Sequence, residues 1–573
     1  MKRLFVLVLL SVAAVSCGNR NADLQELHIV TTGDVHGTYF SDAYVGDGVR
    51  PSLMSVKWYV DSLRAAAGPD NVLLLDAGDC LQGDNASYYF NYVATDGPHI
   101  YPRLASYMGY DVCTVGNHDI EAGHPVYDKV FSELEALGIP WLAGNAVKDD
   151  EDGTYFPEYK LVEKGGRRIL VMGYNNANID GWLSHDLWRG MRHLPLVPLI
   201  QLRVTALRRL MRPDAVVVVV HSGTGKGDMK SIESQGLDIL RHTRGVDVLV
   251  CAHDHQPACI VTRGGRSLLI NGGARCSNVG HAVLGFRNGR LKTREGEVVR
   301  IDKNKVDSAM VAAFQRDYDA VKAFTLQPVG FLEVPLETRD AYLGMCPYID
   351  LLHTVHLAAS GAQLSLAAPL TFNGHVNAGQ LLYNDMFTIY PFENQLYVLS
   401  LKGSEVKSLL EFSYDRWIRY ADGHVLYIEE KPDARTGAQK WSFVNRSYNF
   451  DSAAGIDYTV DVTKPAGERV CISSLADGTP FDENATYSVA MTSYRANGGG
   501  DLLTKGAGIP HGQLSERVVA RYPEIRDLIY GYISSLGSVG PLWFSNREAL
   551  GSWWFVPEEL VAPLLRTDID LVF

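Results

Sequence analysis

Between about residues 26 and 302, short runs of branched apolar residues alternate with stretches whose apolar positions recur at helical spacing. Five runs stand out: Leu27–Thr31, Asn71–Leu75, Asp111–Val115, Ala215–Val220 and Val246–Val250. Continuous Val, Ile and Leu predict strands buried on both faces, as in a layered α/β sandwich. Residues 306–325 carry an apolar stripe and a charged face, which predicts a connecting helix. From about 327 a second, α+β region follows. It has expected helices at Tyr348–Ala359 and Gly403–Ser413, a strand at Tyr458–Val462 and a glycine-rich turn at Asn497–Gly500. The stretch Gly537–Phe573, rich in Trp and Leu, is expected to pack back on the body. No internal repeat is visible.

Each of the five runs ends in polar residues: Asp34-Val35-His36, Gly78-Asp79, Gly116-Asn117-His118-Asp119, His221-Ser222-Gly223 and His253-Asp254-His255. Singly, such a cluster is an ordinary strand-end cap or solvated loop. Together they offer an oxygen or imidazole ligand at five successive strand-to-loop junctions, which a parallel sheet brings to one edge. Carboxylate, amide oxygen and imidazole suit Zn, Mn or Fe and need no thiolate, so Cys80 and Cys251 are expected behind the ligands. A carboxylate shared by two ions about 3.5–4 Å apart is the arrangement of two-metal hydrolysis.

Composition narrows the reading. At 573 residues the chain exceeds one ordinary core. Its net charge of −13, with no basic block, gives no electrostatic support for binding duplex nucleic acid or an anionic membrane surface. A small phosphate can still bind where metal cations invert the local field. Lys2, Arg3 and the apolar run Leu4–Val15, ending in Ala14-Val15-Ser16-Cys17, read as an export leader over residues 1–17. Small residues directly before Cys17 resemble a bacterial lipobox, so the expectation is a lipid on Cys17 and an envelope location, with either leaflet open. The remaining seven cysteines show no CxxC spacing, which argues against a zinc knuckle or redox motif.

The ordered strand-end set resembles the calcineurin-like metallophosphoesterases, and within them the 5′-nucleotidase family in its bacterial, lipoprotein form. The resemblance covers nearly the whole mature chain. It implies a four-layer αββα sandwich (26–302), a linker helix (303–326) and a C-terminal α+β nucleotide-recognition domain (327–573). It also implies two divalent ions, with Asp34, His36, Asp79 and His255 around one. Asp79, Asn117, His221 and His253 surround the other, and Asp79 bridges. His118 would contact the transferring phosphoryl group, oriented by Glu121. The chain departs from the family pattern in having Ala252 before His253, His255 where nucleotidases commonly carry Asn or Gln, and Glu121 where Asp is usual.

In the recognition domain, Pro391-Phe392-Glu393-Asn394 and Ser493-Tyr494-Arg495-Ala496-Asn497-Gly498-Gly499 resemble the segments that hold a nucleotide base. Phe392 and Tyr494 would stack on it and Asn394 would meet its edge; otherwise they are core residues. Tyr448-Asn449-Phe450-Asp451 and the Tyr-Arg-Ala triplet resemble the branch acting on 2′,3′-cyclic nucleotides and 3′-nucleotides. The family's arginine-bearing Asn-Gly-Gly-Gly segment is reduced to Asn373-Gly374-His375-Val376-Asn377, with Arg339 or Arg495 as substitutes. The expected function is hydrolysis of nucleotide phosphate esters by a two-metal-activated hydroxide. A sugar-nucleotide or sulfur-ester hydrolase on the same metals is the alternative, and a non-catalytic surface binding protein the most distant one.

Overall fold

A computed structural model describes residues 24–573 apart from 151, 263, 433–436 and 541–545. The leader 1–17 and Cys17 lie outside the described residues. Two six-stranded sheets face each other in the N-terminal half. The first runs in the order Arg290–Arg300, Asn278–Arg287, Gln25–Thr32, Val72–Asp76, Val112–Thr114, Trp141–Leu142, with the last four strands parallel. The second runs Ala258–Thr262, Ser267–Asn271, Val248–Cys251, Ala215–Val220, Arg167–Tyr174, Tyr159–Lys164, its four inner strands parallel.

The strand Ala215–Val220 shows why continuous apolar runs were needed. Val217 and Val219 point into the layer between the sheets, against Leu73, Leu75 and Val112. Val216, Val218 and Val220 point the other way, under helices Leu196–Met211 and Gly236–His242. Helices Leu53–Ala67, Ile100–Met108 and His124–Ala136 cover the far face of the first sheet. Helices, two sheets and helices make the four layers.

One expectation needs correction. The five polar strand ends do not share a single sheet: three belong to the first and two to the second, and they meet where the sheets' C-terminal edges converge. The expected connector is two helices, Ser308–Ala313 and Gln315–Thr325, broken at Phe314. It is clamped to the sandwich: Arg103 donates to both Asp317 oxygens at 2.8 and 2.9 Å, and Tyr318 donates to the Ala43 carbonyl at 2.9 Å.

Beyond it, a five-stranded sheet runs Ser452–Ala454, Leu364–Ala367, Thr486–Thr492, Gln395–Lys402, Val518–Glu524. Trp417 stacks between Phe450 and Tyr414, with ring centroids 5.6 and 5.2 Å away. The tail completes this core. Trp553–Val556 pairs in parallel with Ile456–Asp461, and helix Glu558–Val572 buries Asp568, which accepts from the amides of Val425 and Leu426 at 2.7 and 2.8 Å. The two halves meet at an aromatic cluster in which Tyr88 packs against Phe324, Tyr383 and Phe387.

Asp568→Ala leaves two buried amides without an acceptor. It should lower the unfolding free energy by about 3 kcal/mol in denaturant titrations, with Asp568→Asn retaining part of that.

Candidate metal centre and substrate cleft

Loops leave the strand ends in a conformation that few residues tolerate. Asp34 (φ 49°), His36 (49°), Asp79 (61°), His253 (77°) and His255 (56°) are all left-handed, so five of the seven expected ligands sit on strained backbone. The turns also pass very close to one another. A Cβ on Gly78 would lie 2.6 Å from the Gly116 amide nitrogen, and one on Gly116 would collide with the Asp79 carboxylate. Asp119 ties them together: its buried carboxylate accepts from the amides of Gly116 (2.7 Å), Asp79 (3.0 Å), Cys80 (2.9 Å) and Leu81 (3.0 Å). On the other sheet, Asp254 accepts from the Thr224 amide at 2.8 Å and from Asn271 Nδ2 at 2.8 Å, which fixes the His221 loop against the His253 loop.

The side chains form two adjacent groups, Asp34–His36–His255 and Asp79–His221–His253, whose ligand atoms within each group lie within 4.8 Å of one another. His255 Nε2 is 3.6 Å and His221 Nε2 3.9 Å from Asp34 Oδ1. Asn117 joins the second group through Oδ1, 2.9 Å from His253 Nδ1. His36 Nδ1 and His221 Nδ1 each face a backbone carbonyl, of Gln82 at 3.0 Å and of Ala77 at 2.8 Å. Donating there puts the proton on Nδ1 and aims the Nε2 lone pair inward.

That arrangement is a test of fit to a cation. His221 Nε2 and Asp79 Oδ2 stand 3.0 Å apart, wholly buried, and neither has a hydrogen-bond partner outside this pair. Two electron-rich atoms aimed at one point suit a divalent ion and nothing apolar. Burial raises Asp34 to about 8. It lowers His253 to about 3 and His255 to about 4, which keeps both imidazoles neutral and able to ligate.

His118 lies beside this set. Its amide donates to Asp79 Oδ1 at 2.8 Å and its Nδ1 bonds the Glu121 carboxylate. Burial lowers the imidazole, but Asp79 and Glu121 outweigh burial and carry it to about 10. A cleft of about 560 Å³ opens here, lined by Asn117, His118, Glu121, His253 and His255 on one side. Phe392, Asn394, Tyr448 and Tyr494 of the second half line it too.

The expected residues fare unequally within the cleft. Tyr494 is half-buried and faces it. Phe392 also packs into the apolar cluster below, and Asn394 Nδ2 donates to the Tyr390 hydroxyl at 3.3 Å. Tyr448, singled out in the sequence only as part of a branch motif, keeps 36% of its surface exposed in the cleft. Arg495 is not a phosphate clamp. It is 3% exposed and bonds Asp451 Oδ2 (2.6 Å), Asn449 Oδ1 (3.0 Å) and the carbonyls of Gly499 (2.6 Å) and Tyr448 (3.0 Å). It pins the tyrosine-bearing segments side by side. Arg339, on the short helix Thr338–Tyr342, is not among the cleft residues, whereas Arg446 is. Trp182 was not legible in advance; its ring stacks on His253 at 5.1 Å. Of the seven described cysteines, all free, Cys80 lies behind the ligands with Sγ 3.3 Å from Asp76 Oδ2.

Comparison with known proteins places this geometry. The calcineurin-like phosphoesterase family matches residues 27–257, and the 5′-nucleotidase C-terminal domain matches residues 328–505. A 2′,3′-cyclic-nucleotide 2′-phosphodiesterase/3′-nucleotidase of Haemophilus influenzae is 24% identical, over 95% of this chain and 89% of its own. The Salmonella typhimurium protein of the same name is 23% identical, over 85% and 84%. A Staphylococcus aureus structure assigned as a 5′-nucleotidase shares the fold with TM-score 0.76 at 20% identity, covering 92% of this chain and 99% of that one. Residues 27–257 are therefore a calcineurin-like phosphoesterase domain, and residues 328–505 behind it a 5′-nucleotidase C-terminal domain.

Proposed function

We propose that this chain hydrolyses phosphate esters of nucleotides, with 2′,3′-cyclic and 3′-nucleotides ahead of 5′-nucleotides. The observation that carries the reading is a single cleft joining the ligand set to two tyrosines, Tyr448 and Tyr494, held together by Arg495. The preference within nucleotides is supported by the Tyr448–Asp451 and Tyr494–Ala496 motifs and by the names of the relatives. Phe392, Asn394 and Tyr494 line the cleft, and Tyr448 adds a further ring and Arg446 a guanidinium to the proposed recognition set.

When bound, two divalent ions of the kind this family uses supply Lewis acidity and lower the pKa of a water at the phosphorus. The ligands proposed for them are Asp34, His36, Asp79 and His255 on one side and Asp79, Asn117, His221 and His253 on the other. His118, with Nδ1 turned to Glu121, presents Nε2 to the phosphoryl oxygens and donates to the charge that develops there. Asp119 and Asp254 hold the loops rather than touch substrate. Tyr448 and Tyr494 hold the base flat and so fix the ester relative to His118. Export through residues 1–17 and lipid anchoring at Cys17 belong to the same proposal. Among the described residues no helix is long and apolar enough to cross a membrane.

Phosphate release from 2′,3′-cyclic AMP (with a coupled phosphatase), 3′-AMP and 5′-AMP by the mature protein tests the reading. Chelation should abolish turnover and Mn or Zn restore it; chelator-resistant turnover, or none on any nucleotide, would reject it. His118→Ala should lower kcat by about 100- to 10,000-fold without loss of bound metal, measured by elemental analysis. Tyr448→Ala and Tyr494→Ala should each raise KM for nucleotides by roughly 5- to 100-fold, the equivalent of one lost stacking face. p-Nitrophenyl phosphate, which has no base, should be affected far less.

A further inference from the structure

The third residue of Pro391–Asn394 is a glutamate, Glu393. The side chain is 6% exposed and lines the cleft on the His118–Glu121 side. Its Oε2 accepts from the Tyr92 hydroxyl at 3.3 Å, and the same hydroxyl is 3.5 Å from the carbonyl of Ala122, the residue after Glu121. Arg526 supports it from behind, 1% exposed, with Nη1 3.9 Å from Glu393 Oε1. The guanidinium is held over the rings of Tyr88 and Phe387 at 5.2 and 4.3 Å, and it donates to the carbonyls of Tyr390 and Phe392 at 3.0 and 3.2 Å. Arg526 is not among the cleft residues, so an occupant meets the carboxylate and not its partner cation.

Glu524 lines the same wall, and its Oε2 has no hydrogen-bond partner. Burial, opposed by Arg526, lifts Glu393 to about 7; burial and then the charge of Glu393 lift Glu524 to about 9, so at pH 8 Glu393 is mostly ionised and Glu524 mostly protonated. The opposing charges near Glu393 are Arg526 behind it and His118 across the cleft. Arg495 is committed to Asp451 and to backbone carbonyls, and Arg446 lies with Tyr448.

We propose that Glu393, with Glu524 beside it, is a specificity-determining residue that restricts the cleft to esters carrying a single phosphoryl group, by repelling leaving portions that bear a further anion. The nucleoside part of this inference rests on the function proposed above, while the charge argument applies to any leaving group. One phosphoryl group is met by the ligand set and His118. A second phosphate in the cleft would meet the Glu393 carboxylate, where like charges repel more strongly than in water. Mononucleotides and 2′,3′-cyclic nucleotides fall on the accepted side. Nucleoside polyphosphates and sugar-nucleotide pyrophosphates fall on the excluded side.

The test compares kcat/KM for AMP against ADP, and for p-nitrophenyl phosphate against 4-carboxyphenyl phosphate. It uses the metal-saturated full chain at pH 8, as wild type, Glu393→Gln and Glu524→Gln. Wild type should favour the less anionic member of each pair by about tenfold or more, and Glu393→Gln should narrow both gaps about fivefold. Glu524→Gln, which replaces a carboxyl already protonated at this pH, should leave them nearly unchanged, and the wild-type gaps at pH 6, where Glu393 is mostly protonated, should narrow and serve as the independent measurement should Glu393→Gln not fold. The aryl pair also differs in leaving-group basicity, so the narrowing is the diagnostic quantity there. An AMP:ADP ratio near one in wild type, or gaps that neither Glu393→Gln nor the step to pH 6 narrows, overturns the proposal. Aryl gaps that narrow while no nucleotide is cleaved leave it standing and reject the nucleotide reading instead.

Discussion

The whole molecule is arranged around the cost of keeping two carboxylates, Asp34 and Asp79, out of water, where among the described residues their ion-pair partners are histidines and not lysine or arginine. Buried charge of that kind persists only when something compensates it closely. Asp34 draws on the His253 amide at 2.9 Å, and Asp79 on the His118 amide at 2.8 Å. The remaining oxygens and the inward-turned imidazoles leave a requirement that divalent cations meet. Two sheets are needed to bring these groups together, because no single sheet edge supplies both the Asp34 and the His221 loops.

Precision at this edge is maintained by groups that take no part in the chemistry. Asp119 spends its carboxylate on four amides, which converts two flexible turns into one rigid piece. Left-handed backbone at five ligands is tolerated because those turns are over-determined in this way. The second half repeats the device: the Arg495–Asp451 pair, buried at both ends, sets the spacing of the cleft tyrosines.

Much of this was legible in the sequence. Continuous Val and Leu runs announced doubly buried strands, and the polar residue types at their ends announced the metal chemistry, since ligand identity is written directly in the side chain. What escaped detection depended on distance in space. The division of the strands between two sheets could not be read, because a run such as Ala215–Val220 looks the same in either. Arg495 looked like a free cation until its carbonyl partners, 4 to 47 positions away in the chain, were visible. Trp182 ends the one-turn helix Ile179–Trp182 and Tyr448 lies in the short helix Ser447–Asn449; elements this short carry no periodicity, so Trp182 looked like any surface aromatic and Tyr448 was visible only through its motif.

The closing strand Trp553–Val556 and the buried Asp568 bear on the order in which the protein acquires its shape. The first sheet seals once residues 278–300 can pair with Gln25–Thr32, which makes the phosphoesterase sandwich completable while much of the chain is still being synthesised. The second core stays open along Ile456–Asp461 until residues 553–572 arrive. During that interval Trp417, Tyr458 and Phe450 lack their cover. Synthesis therefore passes through a stage that uncovers an aromatic surface which the finished enzyme buries.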